Sequence, residues 1–498
     1  MDSIWQINAA LALSALLVLA GIGSSLIARR FGAPLLLVFL VVGMLAGEDG
    51  PGGLGFDSYE FAYVIGSLAL AVILFDGGLR TRLDSLRGAL APAVTLATLG
   101  VLLTAALTGL AAHLVFGLSP LQALLLGSIV ASTDAAAVFF LLHTGGLRLR
   151  RRVEKTLEIE SATNDPAAVF LVVLLVGLLA SAGESGTPPS WGAAFAELAR
   201  QALLGAAFGA GGGFAIVWVL NRANLPGGLD PAFAVSAALL VFGGTAVAGG
   251  SGFLAVYLAG LVVGNRSVRA FPAILAFHDA ATWLAQIVMF LILGLLATPS
   301  RLLETALPAV AVAAFLMLVA RPLAVWLCLL PFGFSRRAVA FIGWVGLRGA
   351  VSIFLAAIPT LAELPRAGLY FDVAFMVVLV SLVVQGWTLS PAARRLGVVS
   401  GRRDPDPLAR IERDLPGQEA LEIVGYRLRP GSPLLDPARP RPSWLRPLLV
   451  VRGGRVLEPA AAGPPRPDDH AYFLAPSGRG PEIDRLVHPP QARRRREE

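Results

Sequence analysis

Apolar runs of roughly 20 residues, the length that crosses a ~30 Å hydrocarbon core, follow one another from residue 5 to about residue 398. That pattern leaves few folds open. Lipid offers no water to backbone N–H and C=O groups, so spanning segments must satisfy them internally, as helices or as closed barrels. Runs this long and this apolar specify helices. The chain is 56% hydrophobic with a mean hydropathy of +0.73, outside the range of a soluble domain. Beyond residue 398 the sequence turns rich in Pro and Arg and has no spanning run. The expected fold is therefore an all-α polytopic membrane domain over 1–398, a linker over 399–415, a small α+β domain over 416–480 and a basic tail over 481–498. Met1 to Gln6 lack the basic stretch and cleavage site of a signal peptide, so the first apolar run is expected to remain. Cys328, the single cysteine, lies within a span and excludes a disulfide.

About 13 helices are expected, over 5–28, 33–47, 59–79, 88–116, 120–143, 154–182, 192–220, 231–248, 251–265, 271–297, 301–330, 338–360 and 369–398. Every second connection is basic: Arg29 and Arg30; Arg80, Arg82 and Arg87; Arg148, Arg150, Arg151, Arg152 and Lys155; Arg222; Arg266 and Arg269; Arg336 and Arg337; Arg394 and Arg395. The intervening loops carry only Arg301 and Arg366. The positive-inside rule then puts the N-terminus outside and the C-terminal domain in the cytoplasm. The basic balance, +7 formal charge, suits an anionic leaflet better than nucleic acid.

With the run at 192–220 taken as a connector, six runs precede it and six follow. Corresponding members lie seven spans apart, an odd offset, so they cross in opposite directions. This is the inverted-repeat plan of many secondary transporters. The runs at 120–143 and 338–360 correspond, and each is interrupted near its middle by small or polar residues, Ala131 to Asp134 in one and Gly346 to Gly349 in the other. Broken helices at matching places point to an ion site at the membrane midplane.

Two aspartates stand at that depth. Asp134 is 14 residues from Pro120 and 14 from Arg148, roughly 21 Å from either flank at helical rise. Asp165 lies near the middle of the next run. An intramembrane carboxylate is costly unless paired, hydrated or used, and is read as functional. Ser161 and Asp165 share one helix face at i, i+4 spacing, and Glu160 and Asn164 share the adjacent one. The first pair offers hydroxyl and carboxylate oxygens to a small hard cation. An alternative stays open at this stage: Asp165 followed by Pro166 also fits a helix N-cap and first residue, which would leave Glu160 in a loop. His113 and His143 fit interfacial positions, and Gln286 fits either the tuning of a cavity or, the favoured reading, a bond between neighbouring helices.

Arg321 and Arg348 are the other charges within spans. Glu160, Asp134 and Asp165 set against these two arginines leave one surplus negative charge. Such a cavity takes one monovalent cation or one proton, and competition between the two is what an exchanger needs. Desolvation disfavours the charged form of any carboxylate, which strengthens the competition.

The segments ASTDAAAV (131–138), LEIESATNDP (157–166), SGFLAVYLAG (251–260) and GLRGAVS (346–352) resemble the monovalent cation:proton antiporter-1 family, and more narrowly its potassium/proton antiporters of the cell-volume-regulation type. The resemblance covers almost the whole chain. It implies a homodimer in the bacterial cytoplasmic membrane that moves a core bundle against a dimer scaffold. It implies Asp165 as the principal ion and proton carrier, with Thr133, Asp134 and Ser161 completing the cation shell. It further implies a Glu160–Arg321 ion pair, Asn164 as a brace, Arg348 at the helix crossing, and electroneutral exchange, since Asn rather than Asp stands at 164.

Strand-like runs at 420–428, 448–451 and 471–474, with a turn at Gly453 and Gly454, resemble the C-terminal subdomain of TrkA-type potassium-transport regulators. A small-molecule sensor and a passive dimerising module both fit. No cofactor is expected, as no dinucleotide motif or Walker motif occurs. The expected activity is therefore antiport of K⁺ or Na⁺ against H⁺, with lipid, the two ions and a second copy as partners. K⁺ is favoured because the family branch and the potassium-type regulatory domain agree, and by no single residue. Two membrane aspartates could also serve an intramembrane protease, and a regulated channel is a third class.

Overall fold

The computed structural model describes residues 2–31, 34–81, 83, 88–185, 191–223, 225–226, 228–399, 409–413, 421–428, 430–436, 442–476 and 480–487. Arg82, Arg87 and the tail arginines Arg493 to Arg496 lie outside them. The chain divides into two compact units, 1–400 and 401–498.

The first unit is helical. Its elements are α1 (Asp2–Phe31), α2 (Leu35–Ala46), α3 (Tyr59–Arg80), α4 (Leu90–Phe116), α5 (Pro120–Ile129), α6 (Ala135–Thr144), α7 (Arg151–Ser185), α8 (Trp191–Arg222), α9 (Leu229–Val247), α10 (Gly252–Gly264), α11 (Phe271–Leu295), α12 (Pro299–Phe332), α13 (Arg336–Trp344), α14 (Ala350–Leu361) and α15 (Ala367–Arg395). Among the described residues eight helices are long and apolar enough to cross a membrane: α3, α4, α7, α8, α9, α11, α12 and α15. Starts and stops follow local chemistry. Ser119 caps α5 in a capping box with Gln122 and has Pro120 behind it, and Ser251 caps α10. Gly117 ends α4 in the left-handed region at φ 61°.

Two helices carry a one-residue widening in mid-course. Leu96–Gly100 in α4 and Leu316–Ala320 in α12 form π-turns, and the second delivers Arg321. Such π-bulges break the side-chain periodicity and concentrate at functional positions. Helix α7 runs unbroken through Pro166, which removes the N-cap reading of Asp165. The turn upstream is held in the bundle because Glu160 is buried there against Arg321. Backbone contact between helices is set by glycine: a Cβ on Gly260 of α10 would collide with the Phe75 carbonyl of α3, and one on Gly78 with the Tyr257 carbonyl.

The second unit is an antiparallel sheet of β1 (Ala409–Arg413), β2 (Leu421–Arg427), β3 (Arg446–Arg452), β4 (Arg455–Leu457) and β5 (His470–Pro476), in the order β1-β2-β5-β3-β4. Helices α16 (Pro459–Ala462) and α17 (Gly480–Val487) accompany it. Alternate residues Ala471, Phe473 and Ala475 of β5 face a core shared with Val424, Tyr426 and Ile483. Gly453 and Gly454, at φ 57° and 78°, make the two-residue hairpin turn between β3 and β4. The boundaries differ from the sequence expectation. Strand β1 falls in the expected linker and pairs with β2. Helix α17 falls mostly in the expected tail, where Ile483 and Val487 are fully buried. Strand β1 gains its order from its ladder with β2 and α17 from burial against the sheet, neither of which local pattern displays.

Arg452 and Asp469 pair at 2.7 Å inside this unit, and Arg452 also donates to the carbonyl of Ala462 at 2.9 Å. The bonds from Arg452 hold the Asp469 carboxyl below the usual carboxylate range. A lowered folded-state value stabilises the fold above the unfolded-state value and loses that effect as pH falls through the folded-state value. Hydrogen exchange of 421–476 in the full chain is therefore expected to quicken below about pH 4, and Asp469→Asn to show the fast rates already at pH 7. In the helical unit, Gly260→Val is expected to abolish the monodisperse size-exclusion peak. Gly177→Ala, where a Cβ meets nothing within 4 Å, should leave it intact.

Candidate ion-binding site

Helices α5 and α6 are two halves of one interrupted run, as are α13 and α14. The non-helical residues between the halves meet. Asp134 N donates to the Leu347 carbonyl at 2.8 Å, and a Cβ on Gly349 would lie 2.6 Å from Asp134 Oδ2. Only glycine lets the two segments pass this closely.

Each half-helix exposes backbone groups that need partners, and α7 supplies many of them. Ser161 Oγ accepts from Ala135 N at 2.9 Å and donates to the Thr133 carbonyl at 3.0 Å. Asn164 Nδ2 donates to Thr133 Oγ1 at 2.6 Å. Asp134 Oδ1 accepts from Ala137 N at 3.1 Å, capping α6. From the second break, Arg348 donates to the Ser132 carbonyl at 2.8 Å, and its own N–H donates to Ser381 Oγ at 3.0 Å. Ser381 Oγ donates to Gln385 Oε1, whose amide donates to the Trp344 carbonyl at 2.8 Å. Behind the crossing, Arg321 and Glu160 pair at 2.5 Å, 2% and 1% exposed.

A cavity of about 470 Å³ reaches this crossing. Ser132, Asp134, Ser161 and Asp165 lie on its wall, with Gln286 and Asp76 opposite. Ser132 Oγ donates to Asp165 Oδ1. The cavity extends to Arg80, Lys155 and Glu158, at the helix ends flanked by basic loops, and those side chains are 29–40% exposed.

Of the residues expected in a cation shell, Asp134, Asp165 and Ser161 line one cavity. Thr133 does not: its hydroxyl is turned to Asn164, and Ser132 takes the place beside Asp165. At a helix break the backbone direction decides which of two adjacent hydroxyls faces inward, and spacing along the chain does not carry that direction. Glu160, Asn164, Arg321 and Arg348 stand behind the wall. Gln286 lines the cavity, the less favoured of its two expected places. His113 Nδ1 contacts the Leu118 carbonyl at 2.6 Å, away from the site, and the His143 side chain lies outside the described residues. Asp76, also on the wall, escaped sequence reading because its i, i+4 spacing to Arg80 looks like a surface pair at a helix end.

The model of the family described as sodium/hydrogen exchanger, transmembrane, matches residues 13–395. The chain is 49% identical to the K(+)/H(+) antiporter NhaP of Alkalimonas amylolytica over 86% of its own length and 74% of the relative's. It is 46% identical to the K(+)/H(+) antiporter NhaP2 of Shewanella baltica over 92% and 79%. A more distant relative, the Na(+)/H(+) antiporter NhaP of Pseudomonas aeruginosa, is 30% identical over 68% and 82%. The solved structure of the sodium proton antiporter MjNhaP1 from Methanocaldococcus jannaschii shares the fold at a TM-score of 0.69 and 22% identity, covering 78% of this chain and 99% of that one. With the family model matched over most of the chain and relatives at 46–49% identity, the chain belongs to the sodium/hydrogen exchanger family of membrane proteins.

Proposed function

We propose that this chain exchanges one K⁺ for one H⁺ across the bacterial cytoplasmic membrane, without net charge transfer, at Asp165. The observation that carries the reading is the Asp165 carboxylate at the inner wall of a cavity reaching the basic face, beside the crossing of two broken helices. The chain is a secondary transporter of cations and protons, and relatives at 46–49% identity named as K(+)/H(+) antiporters favour K⁺.

The chemistry follows from charge. Glu160 and Arg321 cancel one another. Asp134 and Asp165, with Arg348 bonded to the Ser132 carbonyl between them, leave one surplus negative charge. A cation entering the cavity meets the carboxylates of Asp165 and Asp134 and the hydroxyls of Ser132 and Ser161. Oxygen ligands of this kind suit a hard cation. A proton on Asp165 removes the surplus charge and with it the reason for the cation to stay. One site thus carries either ion, and alternate exposure of that site to the two sides couples their movement.

Access in this state favours the basic face, which we assign to the cytoplasm, with the N-terminus outside. Toward the other end, Tyr63 of α3 stacks on Phe354 of α14 at 5.4 Å, and a Cβ on Gly66 would lie within 2.8 Å of that same ring. The thirteen-span inverted repeat is supported by a second correspondence, the π-turns of α4 and α12, which stand seven spans apart like the broken helices. A homodimer is proposed from the family resemblance, and the surfaces of α8 and α9, the least buried of the long spans at 28% and 22%, are where a second copy would have room to pack. The sheet domain is proposed as a TrkA-type regulatory module.

Asp165→Asn is expected to abolish K⁺-dependent dissipation of a pH gradient in everted vesicles while the protein still inserts and folds; exchange that survives this change contradicts the reading. Removing one partner of the Glu160–Arg321 pair leaves an unpaired buried charge, at about 3–5 kcal/mol. Arg321→Gln should therefore lower the unfolding midpoint of the purified protein well below that of the double variant Glu160→Gln, Arg321→Gln.

A further inference from the structure

The cavity carries a second charge system that the exchange chemistry above leaves unused. Asp76 of α3 is 7% exposed and lines the same wall space as Asp165. Its Oδ2 accepts from Arg80 Nε at 2.8 Å, while its Oδ1 is buried and has no hydrogen-bond partner among the described residues. Arg80 extends across to Asp279 of α11, whose side chain is 59% exposed. Thr282 and Gln286, one and two turns further along α11, also line the cavity, and Thr282 Oγ1 is likewise buried without a partner.

A buried carboxylate with one unbonded oxygen, facing neutral side-chain oxygens, is a cation ligand unless its charge is cancelled. Here the cancelling charge is a guanidinium half in solvent, kept in place by a second carboxylate at the mouth. Of the other charged groups on the lining, Lys155 and Glu158 pair with one another at 2.6 Å, and Glu154 adds a further carboxylate near the mouth.

We propose that Arg80 is a specificity-determining residue of the exchanger: by offsetting Asp76 it limits the negative charge of the cavity, which favours a monovalent over a divalent cation and lets it leave again. The inference rests on Asp165 being the carrier. Without Arg80 the carboxylate of Asp76 is uncompensated and the cavity becomes more negative by one charge. A divalent cation then becomes its best neutraliser, and K⁺ binds more tightly and departs more slowly. Asp279 acts through Arg80, positioning it, and Arg80 acts through Asp76. None of the three carries the exchanged proton.

The test is a charge cycle on the full-length protein in proteoliposomes, reading KM for K⁺, maximal rate, and inhibition by Mg²⁺ added on the cavity side. One extra charge at cavity distance in a medium of effective dielectric near 20 changes affinity roughly three- to twentyfold. Arg80→Gln is expected to lower KM by that order, lower the maximal rate, and make Mg²⁺ an inhibitor at concentrations that leave the wild type unaffected. Asp76→Asn, which removes one negative charge from the cavity wall, should move KM the opposite way. The double variant Asp76→Asn, Arg80→Gln should return KM and Mg²⁺ tolerance towards wild type. Arg80→Lys, which keeps the charge, should retain the wild-type KM and serves if Arg80→Gln does not fold. A purely structural tie between α3 and α11 predicts otherwise: KM unchanged or raised in Arg80→Gln, and a double variant no better than either single one. That pattern overturns the proposal. Because active wild type is the baseline throughout, it leaves the carrier role of Asp165 standing.

Discussion

Two helices that stop halfway across a bilayer present backbone donors and acceptors where no water can reach them, and the rest of the transport unit is arranged around satisfying those groups. The bond from Asp134 N to the Leu347 carbonyl joins one break to the other. Ser161 and Asn164 of α7 close the groups around Thr133, and Arg348 closes the Ser132 carbonyl. Each of these partners is polar, so each brings to the midplane a group that lipid disfavours. Satisfying the backbone and building an oxygen-rich ion site are therefore a single structural solution. Glycine at 349 is part of it, since any side chain there would push the two segments apart.

Charge is handled in two layers. The Glu160–Arg321 pair lies behind the wall, almost fully buried, and fixes α7 against α12. Its energetic worth as a pair is modest compared with the penalty for breaking it, which suits a scaffold that must keep its shape while the ion content of the cavity changes. The second layer is the wall itself, where Asp134 and Asp165 face open space and Ser132 bonds Asp165. On the proposed reading, separation of a locked pair from an accessible carboxylate would let proton and cation compete at one group without disturbing the fold.

Much of this was legible in the sequence because the membrane enforces it. Span lengths, alternating basic loops and the two interruptions are direct consequences of a hydrocarbon solvent, and they mark helices and breaks to within a few residues. Acids at membrane depth identify themselves, as Asp134, Glu160 and Asp165 do. What escaped has a common origin in three dimensions. Ser132 and Thr133 are adjacent hydroxyls, and only the path of the chain through the break decides which one meets Asp165. Asp76 and Arg80 read as an ordinary i, i+4 pair, since nothing in their spacing reveals that α3 turns them into the cavity facing α11. The glycine contacts between α3 and α10 likewise depend on which helices become neighbours. In the sheet domain, β1 and α17 were missed because short segments gain order from their partners.

The central claim is that one carboxylate site holds either a proton or a cation and never both. Its most direct measurement is the KM for K⁺ as a function of pH on the cavity side, in proteoliposomes of the full-length protein at clamped membrane potential. Competition predicts that KM rises in proportion to proton concentration in the acidic range, that the maximal rate at saturating K⁺ does not fall as KM rises, and that no steady current accompanies exchange. A KM indifferent to pH, or a current that scales with flux, would contradict it.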